Sequence, residues 1–220
     1  MGITIGHIIA NNTVFPANDM TLFLFGDGAI VQQKYSGELT SQNLINLGLK
    51  SNNTTWIRQP THVRIGNGVT SIRINAFARC SSLTSVTIGN NVESIGTYAF
   101  YGCSGLTSMT IPDSVTLISD SAFWDCTGLT SVTIGNGVTS IGEYVFRGCS
   151  GLTSMTIPNG VTSIDNSAFW DCTGLTSVTF LGKTMEQVRN IADGYGNKYY
   201  PWDLPSDCSI ICTDGTITVT

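Results

Sequence analysis

Hydrophobic residues return along this chain on a fixed schedule. In the stretch from Leu83 to Ile88, apolar Leu83, Val86 and Ile88 alternate with Thr and Ser toward its end. That pattern predicts a β-strand with Val86 and Ile88 on one face and Ser85 and Thr87 on the other. Gly89-Asn90-Asn91 then turns the chain; in the next unit Pro112-Asp113-Ser114 does the same. Val92 and Ile95 mark a second short extended piece. Ala99, Phe100 and Cys103 are spaced as the inner side of one helical turn. Cys103-Ser104-Gly105 closes that turn, with glycine expected to free the backbone.

The same pattern recurs every 23 residues. Units start at Leu83, Leu106, Leu129, Leu152 and Leu175, and an earlier one without the leading leucine starts at Pro60. Five units are complete between residues 60 and 174, and a sixth dissolves after Phe180. Residues 83–128 match residues 129–174 at 36 of 46 positions, so a two-unit block has been duplicated. A 23-residue unit cannot close a core alone, but stacked units can. Parallel strands about 4.8 Å apart would pile like residues into ladders. These are Phe77, Phe100, Phe123, Phe146 and Phe169, and Cys80, Cys103, Cys126, Cys149 and Cys172. The expected fold class is an α/β solenoid, a right-handed superhelix with a parallel sheet and short helical turns. Both ends need capping, because each exposes apolar side chains and strand edges.

The flanks supply candidate caps. Residues 1–59 do not repeat. Ile3-Thr4-Ile5 and Thr21 to Gln33 read as strands, and Ser41 to Leu49 as a short helix capped by Thr40 or Ser41. This segment is a cap, with an attachment role as the open alternative. In residues 181–220, Met185 to Ala192 has helical spacing, and the aromatic stretch Tyr195 to Trp202 is expected to fold over the last repeat. Ile210 to Thr213 and Thr216 to Thr220 read as a hairpin joined at Asp214-Gly215.

The motif Leu-x-x-Val/Met-x-Ile, then Val-x-x-Ile-Gly, then Ala-Phe-x-x-Cys resembles the BspA-like leucine-rich repeats, also called the Treponema pallidum type. The resemblance covers residues 60–180. Lys183 to Val188 and Cys212 to Ile217 are similar to that family's closing segment, and Thr21 to Ile30 to the strand before its first repeat. It implies a leucine-rich repeat fold, surface or secreted proteins of anaerobic bacteria and some protists, and adhesion to host proteins or cells. Related repeats occur in phages of gut bacteria. The family implies no enzymatic activity and no cofactor.

Composition narrows the partners. Of 220 residues 41% are hydrophobic, enough to exclude disorder, and only 11% are charged, against about 25% in soluble domains. The surface is therefore a neutral, hydrogen-bonding coat of Thr, Ser, Asn and Gly. A net charge of −5 without a basic stripe excludes nucleic acid as a partner. No apolar run is long enough for membrane insertion as a helix. Met1 to Ala10 has no positive charge before its apolar stretch, so it does not read as a secretory signal.

Three features compete as sites. The evenly spaced cysteines could bind metal or do redox chemistry, but a buried thiol ladder fits better, because metal sites gather Cys or His from short spacings. Cys208 and Cys212 stay open as a pair. A second candidate is a stripe of Tyr98, Tyr101, Trp124, Tyr144, Arg147 and Trp170, which are favoured interface anchors. Alternatively each Trp covers its unit's small residue, Ser121 or Ser167, while Tyr98 and Tyr144 fill the same gap elsewhere. The third is a pair of hydroxyl ladders on the strand face, such as Ser131 and Thr133, which exposed-strand propensity also explains. His7 and His62, the only histidines, have no nucleophile or carboxylate at a catalytic spacing. The expectation is a non-catalytic binding or adhesion protein recognising a protein or glycan, without cofactor or metal. The alternative is a structural virion protein, a decoration or tail-associated component, held by other virion proteins through residues 1–59.

Overall fold

A computed structural model describes residues 20–24, 30–34, 37–191 and 202–219. The chain enters through β1 (Met20–Leu24), β2 (Ile30–Lys34), β3 (Gly37–Leu39) and α1 (Ser41–Asn46). Each coil then contributes two strands. These are β4 (His62–Arg64) with β5 (Val69–Ile72), β6 (Ser85–Thr87) with β7 (Ser94–Ile95), and β8 (Ser108–Ile111) with β9 (Leu117–Ile118). They continue as β10 (Ser131–Ile134) with β11 (Ser140–Ile141), β12 (Ser154–Ile157) with β13 (Ser163–Ile164), and lastly β14 (Ser177–Phe180). The chain closes with α2 (Met185–Arg189) and a hairpin of β15 (Ser209–Cys212) and β16 (Gly215–Thr218). The expected strands at Ile3–Ile5, and residues 195–201 of the aromatic stretch, lie outside the described residues.

Coils stack in strict register. Ser131 pairs with Ser108, Val132 with Met109 and Ile134 with Ile111, each 23 residues apart in parallel strands. The second strands form a six-stranded parallel sheet from β3 to β13. The first strands divide into two sheets, because β6 and β8 are not ladder-paired. One edge is closed by β1 and β2, antiparallel on β4, and the other by β15, parallel to β14, with β16 antiparallel outside it. The expected hairpin is therefore present, but its turn is Thr213-Asp214, one residue earlier than the sequence suggests, with Gly215 already paired to Cys212; its first strand extends the repeat sheet.

The Ala-Phe segment buries Ala99, Phe100 and Cys103 as their spacing predicts. Its backbone is not a helical turn. Amides alternate between two kinds of partner. Those of Asn75, Phe77 and Arg79 reach across to Thr97, Ala99 and Tyr101 of the next coil, at 3.1, 2.7 and 2.5 Å. Those of Ala76, Ala78 and Cys80 bond back within their own coil, to Arg73, Asn75 and Phe77. Left-handed residues make the alternation possible: φ is 57° at Asn75 and 59° at Arg79, then 56° at Tyr98 and 67° at Gly102. A run of helical φ would point every amide along one axis and leave none for the neighbouring coil.

Glycines that look alike in sequence do different jobs. Gly102 and Gly148 hold positive φ. Gly105, expected to free the backbone, does not; a Cβ there would run into the carbonyl of Ser81 one coil back. Gly151 faces Thr127 O in the same way, at 2.7 Å from an ideal Cβ. These positions are small so that coils can approach.

The interior is one continuous column. Phe77, Phe100, Phe123, Phe146 and Phe169 stack with centroids 5.3–5.9 Å apart and planes within 9°. Trp56 continues the column at the N-terminal end, 6.4 Å from Phe77. The first coil has no predecessor to donate amides to its carbonyls, so side chains of the cap replace them. Ser41 donates to Asn75 O (2.8 Å), Lys50 Nζ to Asn75 O (2.9 Å) and Ala76 O (3.3 Å), and Trp56 Nε1 to Ala78 O (2.8 Å). Thr40 caps α1, as the sequence suggests, and Asn43 completes a capping box. At the far end Trp202 is buried against Phe180, and its carbonyl accepts the Phe169 amide at 3.4 Å. Trp202 thus continues the repeat's ladder after the repeat has ended.

Candidate functional site

The cysteine ladder is interior and structural in its contacts. All seven cysteines are free thiols, including Cys208 and Cys212. Cys103, Cys126, Cys149 and Cys172 donate to the carbonyls of Phe77, Phe100, Phe123 and Phe146, at 2.9–3.2 Å. Each reaches a phenylalanine 26 residues earlier, so the thiol serves the stacking of coils. Burial pushes Cys103 and Cys172 up to about 12, and raises Cys80, Cys126 and Cys149 as well. The thiolate, the form that attacks or ligates, is withheld.

Lys50 is a charged residue that periodicity could not flag. It is 1% exposed, and its ammonium is held by the carbonyls of Asn53, Asn75 and Ala76, with the Trp56 ring 4.8 Å away. Burial pulls its pKa down to about 8. A lone lysine outside the repeats carries no sequence signal for such a role.

The strand face is as expected in β8, β10 and β12, where Ser and Thr point out between buried apolar residues. A shallow cleft of about 540 Å³ opens beside it, lined in part by Thr110, Thr133, Asp113 and Asn136. Its lining repeats from coil to coil and offers no distinctive chemistry.

The aromatic stripe is a single connected assembly. Tyr98 and Tyr101 meet at 5.8 Å, and Trp124 packs on both, at 6.0 and 5.5 Å. Tyr144 lies between Trp124 and Trp170, at 6.4 and 5.9 Å. Arg147 stands over Trp124 at 4.5 Å and over Trp170 at 4.4 Å, with Tyr144 at 5.5 Å. Its guanidinium is sandwiched between two indoles. All six residues keep partial exposure, and Trp170 is 42% exposed. Ser121 and Ser167 are buried, at 3% and 5% exposure, and the Ser167 hydroxyl donates to Asp203 of the C-terminal segment. Packing and display are therefore combined: the rings and the guanidinium pack on one another from coil to coil, and each keeps part of its surface in solvent.

A family model for the BspA type leucine-rich repeat region matches residues 60–192, in six copies. The chain belongs to the BspA type leucine-rich repeat family. Among solved structures, this BspA type chain is similar to the leucine-rich repeat protein of T. pallidum, TpLRR. Identity is 26%, covering 76% of this chain and 71% of that one, with a TM-score of 0.58. It is also similar to a leucine-rich repeat protein from Bacteroides ovatus, at 21% identity, 72% and 45% coverage and a TM-score of 0.47. A leucine-rich cell surface protein from Faecalibacterium prausnitzii follows, at 27% identity, 78% and 55% coverage and a TM-score of 0.45. The BspA type chain spans about half the length of these last two. No curated protein matches it.

Proposed function

We propose that the repeats are a rigid, non-catalytic scaffold for adhesion-type binding to a protein or glycan surface, and that the stripe from Tyr98 to Trp170 makes the contact. The observation that carries this reading is the connectedness of the six side chains across four coils. A binding surface gains most from large groups whose rotamers are already fixed, because less freedom is lost on association. Trp, Tyr and Arg are the residues that dominate such contacts. The near-identical hydroxyl rungs of the strand face lack that asymmetry.

The test is the double variant W124A/W170A. The purified chain and its variant are presented to immobilised host extracellular proteins and to a glycan panel. The reading expects capture of at least one target by the parent chain and a loss of ten-fold or more in the variant, with the solenoid's circular dichroism retained. Unchanged capture together with a lowered melting temperature would assign the two indoles to packing alone.

A further inference from the structure

We propose that Arg147 is a preformed receptor for a carboxylate on a protein partner. The inference rests on the stripe's being a binding surface and says what the partner brings to it. Stacking uses the two faces of a guanidinium and leaves its in-plane N–H groups unspent. Trp124 and Trp170 occupy both faces of Arg147, at 4.5 and 4.4 Å. No hydrogen-bond acceptor or ion-pair partner meets those N–H groups among the described residues. Asp125 and Asp171 follow the two tryptophans in sequence, and Asp125 packs beside Gly148, yet neither carboxylate pairs with the guanidinium. A half-buried, immobilised fork of donors without an acceptor is matched in shape by a carboxylate, which it can hold in two parallel hydrogen bonds.

The duplicated block points to the same residue. Position 147 in the second copy corresponds to Tyr101 in the first. One copy holds a ring tilted against Trp124, and the other holds a cation that lies over Trp124 and brings donors in its plane. A change that keeps the contact with Trp124 and adds positive charge and a fork of donors is what recognition of an anion requires.

The rest of the stripe favours a protein as the source of the carboxylate. A sugar ring needs a free aromatic face to lie on. Here Trp124 has Arg147 on one side and is packed by Tyr98, Tyr101 and Tyr144. Trp170, the most exposed ring at 42%, has Arg147 over it and Tyr144 against it, so the cation stands within an aromatic rim, the setting of a charged anchor within an interface.

Two soluble probes test this with the full chain: poly-L-glutamate, and polygalacturonate as the acidic-sugar arm. Binding is read by tryptophan fluorescence and calorimetry at low salt. The expected result is binding of poly-L-glutamate that weakens at least ten-fold in R147Q and nearly as much in R147K, since lysine keeps the charge but not the fork. Polygalacturonate should bind more weakly. Binding of polygalacturonate alone, no binding of either probe, or equal binding by R147Q would overturn the proposal. Circular dichroism and melting of R147Q show whether its fold is intact; if it is not, R147K decides. Were W124A/W170A to lose a captured target that R147Q retains, the carboxylate receptor would fail while the stripe as a binding surface stood.

Discussion

At the scale of single residues, chemistry follows from position in the stack. A cysteine at the corner of each coil is small enough for the interior and still donates a hydrogen bond to the carbonyl of the preceding coil. Burial holds Cys103 and Cys172 at about 12, against an ordinary value of 9.0, and raises Cys80, Cys126 and Cys149 in the same direction. The unfolded chain releases its thiol protons as pH passes 9, while the folded chain keeps them. The stabilisation is full below 9 and is lost as pH rises toward 12, at about 1.4 kcal/mol per pH unit for each thiol. Lys50 acts in the opposite sense, with a folded value of about 8 below its ordinary 10.5, but it is one group against five. We expect urea midpoints to fall steeply between pH 9 and 10.5, and the fall to be shallower in C126A. Midpoints independent of pH across that range would mean that the thiols are not buried as described.

Which residues form ladders was legible from spacing alone, since a 23-residue period assigns five Phe and five Cys to two columns. The work of Gly105 was not, because a glycine needed for close approach and one needed for positive φ look the same in a string of letters. The alternation of amides around Phe100 was hidden for a related reason. Burial spacing reports which side chains point inward and does not report where the backbone hydrogen bonds go. The column of Arg147 was legible too, but its sandwich between indoles depends on the axial distance between alternate coils.

At the scale of elements, the first coil's carbonyls explain the N-terminal cap. Inner coils receive amides from their neighbours, and the first receives side-chain donors from α1 and the segment after it. Ser41, Lys50 and Trp56 are spread over 16 residues and share no motif, which is why the sequence marked a cap there without marking its mechanism. K50M would fill similar space but leave the carbonyls of Asn53 and Ala76 without their lysine donor, while Asn75 O keeps Ser41 and the Ala78 amide. An unsatisfied buried carbonyl costs about 1–3 kcal/mol. Equilibrium denaturation should report a loss of that size, and unaltered stability would show that water reaches those carbonyls instead.

At the scale of the molecule, each coil is tied to the next by backbone bonds, stacked rings and thiol contacts at once, so the repeats behave as a rod with shared stability. Rigidity lets a stripe of modest contacts act together, because their spacing is set before a partner arrives. The central claim is that residues 98–103 are locked to the following coil without being helix or strand. Residue-resolved hydrogen exchange tests it most directly. Tyr98, Phe100 and Gly102 donate to Asp120, Ala122 and Trp124, and Ala99, Tyr101 and Cys103 donate within their coil. All six amides should exchange as slowly as those of the central strands, close to the global unfolding limit. Exchange at the rate of an open surface turn would contradict it.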